Sequence, residues 1–151
     1  MTNTVESVAL SSLREDPKNE RQHDTKNLAA ITGSLKLFGQ QKPIVISADG
    51  MVLAGNGTLR AAKELGWETI QVSRSQLTGD DARAYALADN RSAELAAWDD
   101  EILGQTLHAL REIDFDLTGI GFDTSYLDNL FDPPKAGPVV EGSKELDPES
   151  F

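Results

Sequence analysis

The sequence predicts an α+β domain with a small mixed sheet in its first half and helices in its second. Three observations predict it. Residues 43–66 read as strand, tight turn, strand, glycine-rich turn and helix, in that order. A second β-rich run, Glu68-Thr69-Ile70-Gln71-Val72, follows that helix directly. Beyond residue 76 the periodicity turns helical, with alanine-rich and leucine-rich segments separated by Asp and Thr caps.

The elements follow from local chemistry. Val8-Ala9-Leu10 reads as a short entry strand, and Asp16-Pro17-Lys18-Asn19 as turn chemistry. Asp24 or Thr25 is placed to cap a helix with apolar positions Leu28, Ile31, Leu35 and Phe38, ended by Gly39. Ile44-Val45-Ile46 and Met51-Val52-Leu53-Ala54 flank Asp49-Gly50, a strong hairpin dipeptide. Gly55-Asn56-Gly57-Thr58 opens the helix Leu59–Leu65, which stops at Gly66. Trp67 to Val72 is the next strand. Thr78 with Asp81 forms a loose capping box for a helix bearing Ala82, Tyr85, Ala86, Leu87 and Ala88, with Asp89-Asn90-Arg91 at or near its end. Asp99 caps a helix over Glu101 to Arg111, residues 114–122 read as extended, and residues 123–130 as a last short helix. Residues 1–75 are expected to form the α/β core, 76–131 a helical part of the same domain, and 132–151 a flexible tail or linker.

Composition narrows the chemistry. The chain has 151 residues and no cysteine, which removes disulfides, thiolate metal sites and thiol catalysis. Two histidines, His23 and His108, make a zinc site improbable. No apolar run approaches the ~18 residues of a membrane span, and no leader pattern opens the chain. A soluble, cytoplasmic protein is therefore expected. The net charge of −11 is uneven. Residues 1–75 hold 9 basic and 8 acidic side chains, whereas residues 76–130 hold 3 basic and 12 acidic. The second half is therefore unsuited to coating nucleic acid, and its helices are too acidic for a recognition helix.

The turn at residues 55–58 is the candidate binding element. A helix opening on a glycine-flanked turn offers unpaired N–H groups and the positive end of the helix dipole, which suits a phosphate. Arg60, one turn further, is placed to add a charge-assisted bond. The alternative is an ordinary hairpin-to-helix connection whose glycines only permit tight geometry. Thr58 reads either as a phosphate or Mg²⁺ contact or as the N-cap of the helix. Asp89 and Asn90 read either as hard oxygen ligands for Mg²⁺ or as a helix C-terminus.

Four segments in fixed order carry a family resemblance. Pro17-Lys18-Asn19-Glu20-Arg21 is similar to a P-x-N-x-R box, and residues 35–46 to a helix-to-strand passage with F-G-x-x-x-P-I-V-V. Gly55-Asn56-Gly57-Thr58-Leu59-Arg60-Ala61 stands at a G-E-R-R-x-R-A box, and Leu87-Ala88-Asp89-Asn90-Arg91 at an E-N-x-Q-R box. The chain resembles the ParB/sulfiredoxin-like superfamily, and more narrowly the ParB N-terminal-like domains carried by phages and fused to DNA methyltransferases.

The resemblance implies a nucleoside triphosphate, CTP as in ParB or ATP as in sulfiredoxins, bound with Mg²⁺. Arg21, Gly55, Asn56, Gly57, Thr58, Arg60 and Asn90 would hold the nucleotide, and Asp89 the metal. It implies a role in DNA modification or partitioning, reaching DNA through a partner domain or protein, and homodimerisation. Asn56-Gly57-Thr58 replaces Glu-Arg-Arg, so two phosphate-binding arginines are missing, and Arg91 breaks the x-Q-R spacing. The sulfiredoxin cysteine is absent. Two alternatives follow. One is a Mg²⁺-dependent nucleotidase, phosphotransferase or nuclease, with Glu20 or Asp24 as base and no defined catalytic set. The other is a protein-interaction scaffold that has abandoned the nucleotide.

Overall fold

The computed structural model describes residues 3–17, 19, 21, 22 and 24–132. Lys18, Glu20 and His23 lie outside them, as does all of the expected tail beyond Asp132. Four strands form one mixed sheet: β1 (Thr4–Ala9), β2 (Ile44–Ile46), β3 (Val52–Ala54) and β4 (Thr69–Arg74), in the order β1-β4-β2-β3. β4 pairs antiparallel with β1 and parallel with β2, and β2 pairs antiparallel with β3. The helices are α1 (Thr25–Phe38), α2 (Asn56–Glu64), α3 (Gly79–Leu95), α4 (Asp100–Glu112) and α5 (Thr124–Phe131). The α+β architecture with a helical second half is the one the sequence predicts.

Hydrophobic burial explains the central part. Ile44, Ile46, Val52, Ile70 and Val72 from the sheet pack with Leu59 and Ala62 of α2 and with Leu10 and Leu13. Ile46, Val52, Leu59 and Val72 are fully buried, each contributing about 1.5–3 kcal/mol. A separate cluster is built from Leu103, Leu107 and Leu117, with Phe115, Ile120, Phe122, Leu127 and Leu130 packed against it.

Several boundaries differ from the sequence reading. The entry strand occupies Thr4–Ala9 and Leu10 begins a 3-10 turn. As an edge strand, β1 keeps most of its residues exposed, so its hydrophobic alternation is faint. The stretch 114–122 is not extended. Asp114 takes a left-handed φ of 57°, and Thr118–Ile120 forms a 3-10 turn that brings the aromatic residues inward. Thr78 occupies an N-cap position without a side-chain bond, so the loose capping box does not form.

The caps read at Asp24 and Asp99 hold, and Asp123, read as the first residue of the last helix, is its N-cap. Asp24, Asp99 and Asp123 accept hydrogen bonds from the N–H groups of Asn27, Ile102 and Tyr126. Asp123 also binds Lys26 Nζ at 2.9 Å, tying the start of α5 to the start of α1. Lys26 and the Tyr126 amide hold the Asp123 carboxyl below its ordinary range. A carboxyl depressed in the folded state contributes stability above its unfolded value of about 3.9, and that stability is lost as pH falls through the folded value. Asp123→Asn is expected to lower the melting temperature near pH 7, with the difference from the unsubstituted chain closing as pH falls through the depressed folded-state value. Thermal melts across pH check this.

Candidate functional site

The glycine-rich turn is set by packing. Gly55 has φ 108°, and a Cβ there would overlap Cγ2 and Cβ of Ile44, which is buried in the sheet. The chain can therefore pass from β3 into α2 only with glycine at this position. Gly55, not Thr58, is the N-cap, and α2 begins at Asn56. The N-cap alternative for Thr58 is thereby overturned, because the left-handed turn starts the helix three residues earlier. The helical ladder opens with the Leu59 N–H on the Gly55 carbonyl at 2.9 Å. The N–H groups of Asn56, Gly57 and Thr58 therefore have no acceptor within α2.

These groups face a cleft of about 380 Å³. Gly55, Asn56, Gly57 and Thr58 form one wall and Asp89 and Asn90 another, with Arg21 of the N-terminal loop also at the lining. Asp89 and Asn90 sit inside α3, which continues to Leu95, so their alternative reading as a helix C-terminus fails. No glycine or proline interrupts Arg91-Ser92-Ala93-Glu94, and the helix simply runs on.

Arg60 is placed elsewhere. It does not line this cleft; its guanidinium bonds Glu15 through Nε at 3.1 Å and Nη2 at 3.3 Å. It belongs to an adjoining cavity that shares Asn19, Arg21 and Asn56 with the cleft. The spacing from the turn suggested a cradle contact. At helix position five, however, the side chain leaves the axis toward the N-terminal loop, where a carboxylate receives it. Asp24, considered as a base, has a carboxylate oxygen committed to capping α1.

The lining side chains that the sequence reading did not assign to the site include Asn27 and Ile31 of α1, Lys42, and Tyr85 of α3. Two of them carried a signal. Tyr85 stands one turn before Asp89, and burial followed by the Asp89 charge raises its phenol. Asn27 stands one turn before Ile31, on the same strip of α1. Lys42 is held by its neighbour Gln40, which donates to the Gln71 carbonyl at 2.9 Å and accepts from the Gln71 N–H at 2.8 Å.

The donor set suits a hard divalent cation that arrives with a phosphate. Asp89 and Asn90 supply oxygens at the cleft, and Asn56 Oδ1 is a buried acceptor with no hydrogen-bond donor. Among the described residues no three acidic or histidine side chains converge, so phosphate oxygens would have to complete the coordination.

Comparison with known proteins decides the family. Residues 1–91 match the ParB N-terminal domain, and residues 101–150 match the ParB-methyltransferase HTH domain. The chain belongs to the ParB N-terminal domain family. Over 63 residues it is 33% identical to the ParB-like nuclease domain-containing protein YnaK of Escherichia coli K12, covering 42% of this chain and 72% of that protein. Its fold is similar to a C-terminally truncated chromosome-partitioning ParB from Caulobacter crescentus, crystallised with CTP-γ-S. That match has a TM-score of 0.70 at 17% identity, over 84% of this chain and 76% of the other. A Pnob8-like ParB-N domain matches with a TM-score of 0.54 at 18% identity, over 74% of this chain and 46% of the other. The second family match bears on the expectation drawn from charge. The helices following the ParB-like part, acidic though they are, fall within the residues that match that HTH domain.

Proposed function

We infer that this ParB-like chain binds a nucleoside triphosphate with Mg²⁺ in its cleft and works in a DNA-related process tied to methyltransferase-associated proteins. One observation carries the reading. Three segments far apart in sequence, around Arg21, Gly55–Thr58 and Asp89–Asn90, meet at one cleft beside three helix N–H groups that α2 leaves unbonded. The ParB of similar fold was crystallised with CTP-γ-S, which supports a cytidine nucleotide as the first candidate, with ATP beside it.

The chain's own groups divide the work. The N–H groups of Asn56, Gly57 and Thr58 donate to phosphate oxygens as a nest, replacing part of the charge that two arginines would bring. Arg21 closes over the phosphates from the loop and Lys42 adds a second cation at the lining. Asp89 holds Mg²⁺, with Asn90 oriented on the nucleotide. The ion supplies neutralisation of the phosphate charge. DNA is reached through the helix-turn-helix unit or a partner protein, and self-association follows the family pattern.

Calorimetric titration with CTP, ATP, GTP and ADP, with and without Mg²⁺, tests this directly. Arg21→Ala is expected to weaken binding about 10- to 100-fold, the loss of a charge-assisted bond. Arg60→Ala, already engaged by Glu15, is expected to change it by less than about threefold. Silence of the unsubstituted chain toward every nucleotide would discard the reading and leave an interaction scaffold in its place.

A further inference from the structure

Asn56 is unusual among the residues at the cleft. It is only 6% exposed, and its Oδ1 is closed off from solvent with no hydrogen-bond donor among the described residues. A buried acceptor left unmet is destabilising, so its persistence beside a ligand cleft calls for a reason. The residue stands in the wall between two cavities and lines both. Turning its amide about the Cβ–Cγ bond would bring Oδ1 from its donor-less setting to the cleft. The same residue contributes the first free N–H of α2.

These two groups ask for opposite things. The N–H seeks an anion, whereas Oδ1 repels one. A fully ionised phosphate has no proton to offer. A ligand satisfies both only when it carries a hydrogen-bond donor next to its phosphates.

We propose that Asn56 is the specificity-determining residue of the cleft, admitting phosphate only together with a donor for its side-chain oxygen. That donor is an O–H, from a water held by a divalent cation or from a sugar hydroxyl. The proposal rests on the nucleotide reading above and adds the condition of entry. Bare polyphosphate is discriminated against, and the turn's departure from glutamate and arginine becomes a device for selection by hydrogen bonding.

The experiment compares the unsubstituted full chain with Asn56→Leu and Asn56→Asp. Leucine removes the acceptor at similar volume. Aspartate keeps the acceptor, and the helix N-terminus offsets part of the cost of burying its charge, which gives a second variant should leucine fail to fold. Probes are CTP and ATP, their 2′,3′-dideoxy forms and inorganic triphosphate, each with Mg²⁺ or with chelator, titrated by calorimetry after a melt confirms folding.

Asn56→Leu is expected to weaken Mg²⁺-nucleotide binding roughly tenfold. With a metal-held water as donor, that loss vanishes under chelator and persists with the dideoxy forms. With a sugar hydroxyl as donor, it vanishes with the dideoxy forms and persists under chelator. Asn56→Asp is expected to stay within a fewfold of the unsubstituted chain when the donor is supplied. Without it, the carboxylate's repulsion lowers phosphate affinity more than tenfold.

Equal binding of every probe by the unsubstituted chain and Asn56→Leu overturns the proposal while the nucleotide reading stands. So does loss of all binding in Asn56→Asp at every Mg²⁺ concentration, because the amide then acts as a donor. Failure of the unsubstituted chain to bind any probe overturns both.

Discussion

Gly55→Ala is expected to destabilise the chain by about 2–4 kcal/mol, lowering its melting temperature by roughly 5–15 °C. Two costs add. An L-residue at φ 108° sits in the left-handed region, which costs about 1–2 kcal/mol. The added methyl also overlaps Ile44, whose side chain is fixed in the sheet core and can move only by shifting β2. Overpacking of this kind costs about 1–3 kcal/mol. Gly66→Ala supplies the control. Gly66 also has a positive φ, 75°, but a Cβ there meets nothing within 4 Å. Its loss is expected at about 1–2 kcal/mol, the conformational part alone. Chemical denaturation of the three proteins separates the terms, and equal losses at both positions would refute the Ile44 contact. Because Gly55 also sets the direction of the free N–H groups, its substitution should cost nucleotide affinity beyond what the lost stability explains.

The parts of the fold legible in the sequence are those where burial and turn chemistry agree. Ile44-Val45-Ile46, Asp49-Gly50 and Val52-Leu53-Ala54 were readable because both strands are buried and the dipeptide between them admits a tight reversal. β1 was legible only at its end, Val8-Ala9, since an edge strand buries little and leaves no clean alternation. The aromatic segment 114–122 misled for the opposite reason. Its Phe115 and Leu117, two apart, mimic a strand, yet they converge with Phe122 because a left-handed Asp114 and a 3-10 turn fold them onto α4.

At the candidate site, the residue list was more legible than the geometry. Arg21, Gly55, Asn56, Gly57, Thr58, Asp89 and Asn90 meet at one cleft. That Arg60 turns away to Glu15 depends on a contact 45 residues distant, which no local pattern encodes. Nor does any local pattern announce the unmet oxygen of Asn56, since an asparagine after glycine reads as turn chemistry until its burial is known.

The junction between the ParB-like part and the helices behind it yields the second large effect. α1 presents Asn27 and Ile31 to the cleft, while Ala30 and Gly33 face the segment around Gly119 and Gly121. A Cβ on Gly33 would overlap the Gly119 carbonyl, and one on Gly121 would stand 3.0 Å from Ala30 Cβ. Nearby, Phe38 stacks on Phe115 with ring centroids 6.3 Å apart. The helix and the 3-10 turn approach this closely only because neither has a side chain at the crossing. Gly33→Ala should therefore push the two apart at a cost of about 1–3 kcal/mol, despite alanine's better helix propensity. Gly104→Ala in α4, where a Cβ meets nothing within 4 Å, should instead stabilise by up to about 1 kcal/mol. Hydrogen exchange locates the effect. In Gly33→Ala the amides of α4 and α5 should lose protection while those of β2 and β4 keep theirs, because the sheet has its own core. Uniform loss across both clusters would mean that the two parts unfold as one unit, and that α1 is an ordinary core helix instead of the seam between them.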